Sequence, residues 1–258
     1  MLGIYFSGTG NTHWCVERFV SLVEQDATCF SIEDKAVVTE LAKHDTVVFG
    51  FPVYYSNLPK IAKDFIKANV AGFNGKKVFV IATRSLHNAY GMGYARTLFK
   101  ECGAEFIGSL QLNMPENIRD LWVTMLYTGK KLDANMITKA EKKIAKAASQ
   151  FKDGIYTRSG LNPLNYTVGK LLSLLPFYPK TDKYITAPKV IANKCNGCGK
   201  CAALCPMDNI KIVDGKVVSG DKCTICYRCC NSCPAQALTV LGRKVYGQYL
   251  FGECVGDV

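Results

Sequence analysis

Leu2-Gly3-Ile4-Tyr5-Phe6-Ser7-Gly8-Thr9-Gly10-Asn11-Thr12 is a short apolar run that breaks into a turn of alternating glycines and hydroxyls. Behind the turn, Cys15, Val16, Phe19, Val20, Leu22 and Val23 recur at helical spacing, so strand, glycine-rich turn and helix follow one another. The alternation continues downstream. Residues 27–32, 46–51, 77–83 and 105–112 read as further strands, with helical patterns near 58–69, 90–102 and 134–152. Strands separated by helices need crossover connections, and crossovers build a parallel sheet covered on both faces. Residues 1–153 are therefore expected to form a doubly wound α/β domain around a five-stranded parallel sheet. Ligands of such sheets bind at the carboxyl ends of the strands, beside the switch point.

The opening turn has the chemistry of a phosphate site. A helix N-terminus supplies N–H donors, Ser7, Thr9 and Thr12 supply hydroxyls, and Gly8 and Gly10 let the backbone approach. No Gly-Lys-Ser/Thr follows, so this is not the nucleotide P-loop. His13 stands where the third glycine of a dinucleotide loop belongs, and Arg96 does the same after Gly91 and Gly93. Direct nicotinamide binding has no motif behind it.

The C-terminal quarter carries a different signal. Of thirteen cysteines, nine fall between Cys195 and Cys233. Cys195-x2-Cys198-x2-Cys201-x3-Cys205-Pro206 is repeated 28 residues later as Cys223-x2-Cys226-x2-Cys229-x3-Cys233-Pro234. This is the bacterial two-cluster ferredoxin run, in which the fourth cysteine ligates the other cluster. Three thiolates on one tight loop reach three corners of a cubane, and the next cysteine turns away with the departing chain. Gly197 and Gly199 permit the positive φ of such a wrap. The expected ligands are Cys195, Cys198, Cys201 and Cys233 for one [4Fe–4S] cluster, and Cys223, Cys226, Cys229 and Cys205 for the other. A pair of four-cysteine zinc sites is the alternative, although zinc needs neither the third cysteine at the same interval nor the Cys-Pro. Cys229, not the adjoining Cys230, keeps both intervals. Cys15, Cys29 and Cys102 lie on apolar faces or strands and read as core.

With these residues in view, the N-terminal turn resembles the FMN-phosphate signature of the flavodoxin family, with Gly3 and Val16 as small departures. In that family two further loops hold the isoalloxazine. The end of the third strand, with Pro52, Val53, Tyr54 and Tyr55, resembles the first. Thr83-Arg84-Ser85 through Tyr90-Gly91-Met92-Gly93 resembles the second. Tyr54 or Tyr55 would stack on the flavin; packing at a strand end is the alternative for either. The whole chain resembles the flavodoxin–ferredoxin fusion proteins of anaerobic bacteria and archaea. The resemblance implies a flavodoxin-like FMN domain over 1–153 and a small α+β two-cluster ferredoxin-like domain over 189–241. Residues 154–188, broken by Pro163, Pro176, Pro179 and Pro188, read as a connecting segment, and 242–258 as a tail.

Composition sets the outer bounds. Apolar residues make up 48% and charged residues 21%, as in a globular chain. No apolar stretch approaches the roughly 20 residues of a spanning helix, and the N-terminus has no basic region or cleavage site, so a cytoplasmic protein is expected. The net charge of +11 is spread over the segments with no basic tract for nucleic acid. Its excess is either general surface lysine or a match for an acidic redox partner. His13, His44 and His87 show no metal or catalytic spacing. Low-potential electron relay between the clusters, FMN and a protein partner is the expected function. The alternative is a reductase in which FMN, fed by the clusters, reduces a quinone, nitro-compound or unsaturated acid, with Arg84, His87 or Tyr90 orienting the substrate.

Overall fold

The computed structural model describes residues 1–85, 91–162, 183–185 and 187–252. They cluster into two compact units. One holds Met1–Ser7, Asn11–Met114 and Met136–Asp182; the other holds Gly8–Gly10, Pro115–Asn135 and Lys183–Val258.

The first unit is the α/β domain. Its elements are β1 (Leu2–Tyr5), α1 (Asn11–Val23), β2 (Thr28–Ser31), α2 (Val37–Lys43), β3 (Thr46–Pro52), α3 (Lys60–Ala68), α4 (Val70–Phe73), β4 (Lys77–Arg84), α5 (Gly91–Glu101), β5 (Glu105–Asn113) and α6 (Lys130–Lys152), the last from Met136 onward. All five strands are parallel, in the order β2-β1-β3-β4-β5. Each expected strand is present to within two residues at either end. The short helices α2 and α4 were not read from the sequence. In α2 only Val37 and Leu41 are buried, too brief a stripe to declare a period.

Both faces of the sheet are covered, which is why its strands are nearly continuous apolar runs. On one face Leu2, Ile4, Phe49, Phe51, Val78 and Val80 pack with Leu41, Ile66, Phe73 and Phe99. Phe49 meets Phe99 at 5.2 Å and Phe73 meets Phe99 at 5.1 Å between ring centroids, both edge to face. Elsewhere in the unit, Phe19 of α1 stacks on Phe79 of β4 at 4.9 Å, and Phe151 of α6 meets both edge-on. Val16 lies so close to the strands that a Cβ on Gly50 would collide with its methyl, and one on Gly3 would collide with Cys29. The two departures from the phosphate-loop signature are thus fitted to each other: a bulky Val16 on the helix faces bare backbone on the sheet. At the outer edge, Ser109 exchanges backbone hydrogen bonds with Thr157 and Ser159 (2.7 and 3.0 Å), so the start of the expected connecting segment covers the exposed edge of β5.

The second unit contains β6 (Lys189–Val190), α7 (Lys200–Ala203), β7 (Ile210–Val213), β8 (Lys216–Ser219), α8 (Arg228–Asn231) and β9 (Leu238–Thr239). β6 pairs antiparallel with β9, and β7 with β8. The boundaries of this unit differ from those read in the sequence, because Pro115–Asn135 and the tail belong to it as well. The tail is tied in: Gln248 donates to the carbonyls of Cys230 and Cys233 at 2.9 and 2.7 Å, and Tyr249 is fully buried. Among the described residues no helix is long and apolar enough to cross a membrane.

Candidate cofactor sites

The 28-residue repeat is written into the backbone. Gly197 and Gly199 adopt left-handed φ of 70° and 76°, as the wrap requires, and so do Ile225 and Tyr227 at the matching places, both at 60°. Asp208 and Gln236, again 28 apart, both sit at 48°. A β-branched or aromatic residue there is strained by about 1–2 kcal/mol. The second loop reaches the same path as the first without glycine.

The eight repeat cysteines surround two cavities. One is lined by Cys195, Cys198, Cys201 and Cys233. The other is lined by Cys205, Cys223, Cys226 and Cys229. Each cavity takes three thiols from one run and the fourth from the other. Cys230 is buried but lines neither; its Sγ lies 3.9 Å from that of Cys229. Among the described residues, no group of three or more His, Cys, Asp or Glu side chains is drawn together as for one metal ion.

The donor set suits an iron–sulfur group. Backbone N–H groups point at sulfur of the repeat cysteines: Asn209 to Cys205 at 3.3 Å, Ala237 to Cys233 at 3.4 Å and Ile225 to Cys223 at 3.3 Å. The first two are the same bond 28 residues apart. Thr224, which lines the second cavity, has a buried hydroxyl with no partner among the described residues. Burial pushes the Cys223 thiol up to about 11 and the Cys226 thiol up to about 12. The hydrogen bond to Cys229, with burial, raises Cys230 far above the ordinary thiol range, while the same bond lowers Cys229.

Sequence reasoning missed the support behind the second loop. Asp120, only 3% exposed, accepts backbone N–H bonds from Val240, Leu241 and Gly242 at 2.6, 3.0 and 3.0 Å. Its other oxygen accepts the hydroxyl of Tyr227 at 2.9 Å. Next to it, Arg119 pairs with the buried Asp133 at 2.9 Å. Tyr227 lies between two of the repeat cysteines. Asp120 stands 107 residues away, where no local pattern points to it.

The loops expected to hold FMN all leave the carboxyl ends of strands of the five-stranded sheet. Ser7, Thr9 and Thr12 are buried, and Gly10 has φ 101°. Thr12, in the first turn of α1, shares a 2.7 Å hydroxyl–hydroxyl bond with Thr83 at the end of β4. α1 carries no acidic residue in its first turn, as suits an anion at its positive end. After β3, Pro52 and Val53 lead into a tight turn in which Tyr54 and Asn57 exchange backbone bonds at 3.0 and 2.9 Å. Tyr55 and Ser56 at its tip hold positive φ of 48° and 62°. Consecutive positive φ at both central residues is the geometry of a type I′ turn, here held by two non-glycine residues at a strand end. Burial lowers the Arg84 guanidinium, and Ser85 has a buried hydroxyl with no partner among the described residues. Gly91 and Gly93 are buried at the start of α5, and the Gly91 N–H donates to the Ser56 carbonyl at 2.9 Å, joining the two ring loops. Tyr90 and His87 lie outside the described residues. A buried orphan hydroxyl, a hydroxyl pair and a helix N-terminus without an acidic residue in its first turn fit a phosphate-bearing flavin. Asn11 opens α1, and Gly8 sits in the turn before it.

Cys15 and Cys102 are buried, and burial pushes the Cys29 thiol up to about 12, so none is poised as a nucleophile.

Comparison with known proteins follows the same division. Residues 2–104 match the flavodoxin domain family, and residues 181–216 match the LdpA Fe-S cluster-binding domain family. The second match covers the first cysteine run and stops before the second. No curated protein sequence matches the chain. Among solved structures, two-electron reduced Megasphaera elsdenii flavodoxin is 23% identical, with a TM-score of 0.41, over 57% of this chain and 100% of that one. The Trp repressor binding protein from Bacillus subtilis is 14% identical over 57% and 96%, with a TM-score of 0.42. The azoreductase from Bacillus anthracis str. Sterne is 13% identical over 58% and 98%, with a TM-score of 0.43.

Proposed function

We propose that this fusion of a flavodoxin domain with an iron–sulfur domain is a low-potential electron carrier of the cytoplasm, relaying electrons between two [4Fe–4S] clusters, FMN and a protein partner. The observation that carries the reading is the pair of cavities, each walled by four repeat cysteines with one lent by the other run. A void inside four thiols suits a cluster; a zinc ion draws its four ligands to about 2.3 Å of a single atom. Cys195, Cys198, Cys201 and Cys233 would hold one cluster, and Cys205, Cys223, Cys226 and Cys229 the other. The turn from Ser7 to Thr12 would hold the FMN phosphate, with the 52–55 and 83–93 loops against the ring.

When bound, FMN exchanges one or two electrons and each cluster one, so the combination converts between pair and single transfers. The chain supplies binding, burial and tethering, which replaces a diffusional encounter by a high effective concentration. The described residues offer no acid poised for proton transfer, which favours a carrier over a reductase.

Support for an acidic partner comes from α6. Lys139, Lys142, Lys143 and Lys146 follow each other at helical spacing, all exposed, and none forms an ion pair among the described residues. The stripe carries no exposed large apolar residue, as suits transient protein docking.

The test is iron, acid-labile sulfide, zinc and flavin on anaerobically reconstituted protein. About eight irons, eight sulfides and one FMN per chain are expected. Zinc without sulfide would overturn the cluster reading, and full clusters without flavin would overturn the FMN reading. Turnover of a quinone, nitro-compound or unsaturated acid to a defined product would make the protein a reductase.

A further inference from the structure

We infer that Asp120 and Tyr227 form a charge-and-phenol pair that tunes the reduction potential of the cluster in the cavity lined by Cys205, Cys223, Cys226 and Cys229, leaving the other cluster untouched. The inference rests on the cluster assignment above and goes beyond it, assigning a role to residues that ligate nothing.

Asp120 stands directly behind the wall of that cavity. Two of its hydrogen-bond partners, Tyr227 and Val240, line the cavity themselves. Among the described residues, every hydrogen bond to its side chain comes from a donor, three backbone N–H groups and one hydroxyl, a set that suits an acceptor-only carboxylate. The place is shaped for it. A Cβ on Gly242 would collide with the Asp120 carbonyl, so bare backbone is needed to bring the third N–H into range.

Tyr227 supplies the second half of the argument. Its counterpart in the first loop is Gly199, at φ 76°, where a glycine costs nothing. A tyrosine at φ 60° is strained, and what it offers that glycine cannot is a phenol. That phenol donates to Asp120 and accepts from the Leu241 N–H at 3.3 Å. The two halves of the repeat therefore diverge where one cavity gains a buried negative charge and the other has no side chain.

Adding an electron beside a buried carboxylate is disfavoured in a low-dielectric interior. Asp120 therefore lowers the potential of its cluster, and the phenol, by donating to the carboxylate, offsets part of that effect. Arg228, whose charge acts on Cys226 and Cys229, remains in both variants below and cancels from the comparison.

The experiment is an anaerobic redox titration, followed by electron paramagnetic resonance, on the full chain carrying both clusters. Wild type, Asp120→Asn and Tyr227→Phe are compared, with iron and sulfide counted in each. Asp120→Asn is expected to raise one midpoint potential and Tyr227→Phe to lower the same one. That midpoint is the one lost in Cys223→Ser, and the other stays still. Opposite signs from two neighbouring substitutions are beyond a merely structural role. Unchanged midpoints, shifts of the same sign, or equal movement of both clusters would overturn the pairing. If Asp120→Asn fails to hold iron, Tyr227→Phe decides alone, since it keeps the carboxylate and its three N–H donors. Wild-type protein with fewer than two clusters would instead count against the underlying assignment.

Discussion

Thr12 and Thr83 meet hydroxyl to hydroxyl at 2.7 Å, tying the first turn of α1 to the carboxyl end of β4. Two hydroxyls sharing one bond use one of their two protons, and in the proposed FMN site the second would donate to the phosphate beside the helix N-terminus. Thr12→Val is expected to weaken FMN binding about ten- to a hundredfold, the range for one hydrogen bond to a charged group. Quenching of FMN fluorescence on titration into apoprotein reads it directly, and an unchanged dissociation constant would remove Thr12 from the phosphate site.

The exchange of fourth thiols makes a counterintuitive prediction. Cys205 belongs to the first run by sequence but lines the cavity of the second. Cys205→Ser is expected to spare the cluster held by Cys195, Cys198 and Cys201, and Cys233→Ser to damage it. The paramagnetic signal that survives in each variant distinguishes this from ligation within one run.

Cys229 and Cys230 are neighbours with opposite expectations. Cys229 lines the cavity and Cys230 does not. Cys229→Ser should lose about four irons, while Cys230→Ser should keep about eight. The reverse pattern of iron contents would show that the repeat interval misidentifies the ligand.

Gly197 and Gly199 both need left-handed backbone, but their surroundings differ. A Cβ on Gly197 would lie 2.6 Å from the Gly215 carbonyl oxygen, whereas one on Gly199 meets only Ile212, at 3.9 Å. Gly199→Ala should cost about 1 kcal/mol from backbone conformation alone. Gly197→Ala should cost clearly more. Urea midpoints of the reconstituted variants give the order, and equal midpoints would contradict it.

The lysine stripe on α6 is testable by charge reversal. Lys139→Glu combined with Lys143→Glu should slow reduction by an acidic protein donor several-fold at low salt. The difference should vanish near 1 M salt, where screening acts within about 3 Å. Rates independent of both charge and salt would leave α6 a solvated surface.

The five strands were legible because a sheet buried on both faces writes itself as apolar runs, and Phe49, Val80 and Ile4 need no partner to be recognised. The cysteine intervals were legible because chelation is local. What stayed hidden depended on distance or on tolerated strain. Asp120 meets Tyr227 across 107 residues, and nothing near Asp120 announces a cluster domain. The tail looked patternless, yet Val245, Tyr249 and Phe251 are buried at intervals of four and then two, which declare no single period. Ile225 and Tyr227 hide a glycine conformation behind side chains that ordinarily forbid it. Gly3 and Val16 looked like independent departures until their packing showed them to be one adjustment.

The lending of Cys205 and Cys233 also bears on how such a domain can arise. A single 28-residue half standing alone is a cage with one wall missing and one thiol to spare. Two identical halves close both cages at once by trading, and neither can close without the other. Joining them in one polypeptide makes the trade permanent. Each half can then differ from the other, as Tyr227 differs from Gly199, while the obligation between them remains.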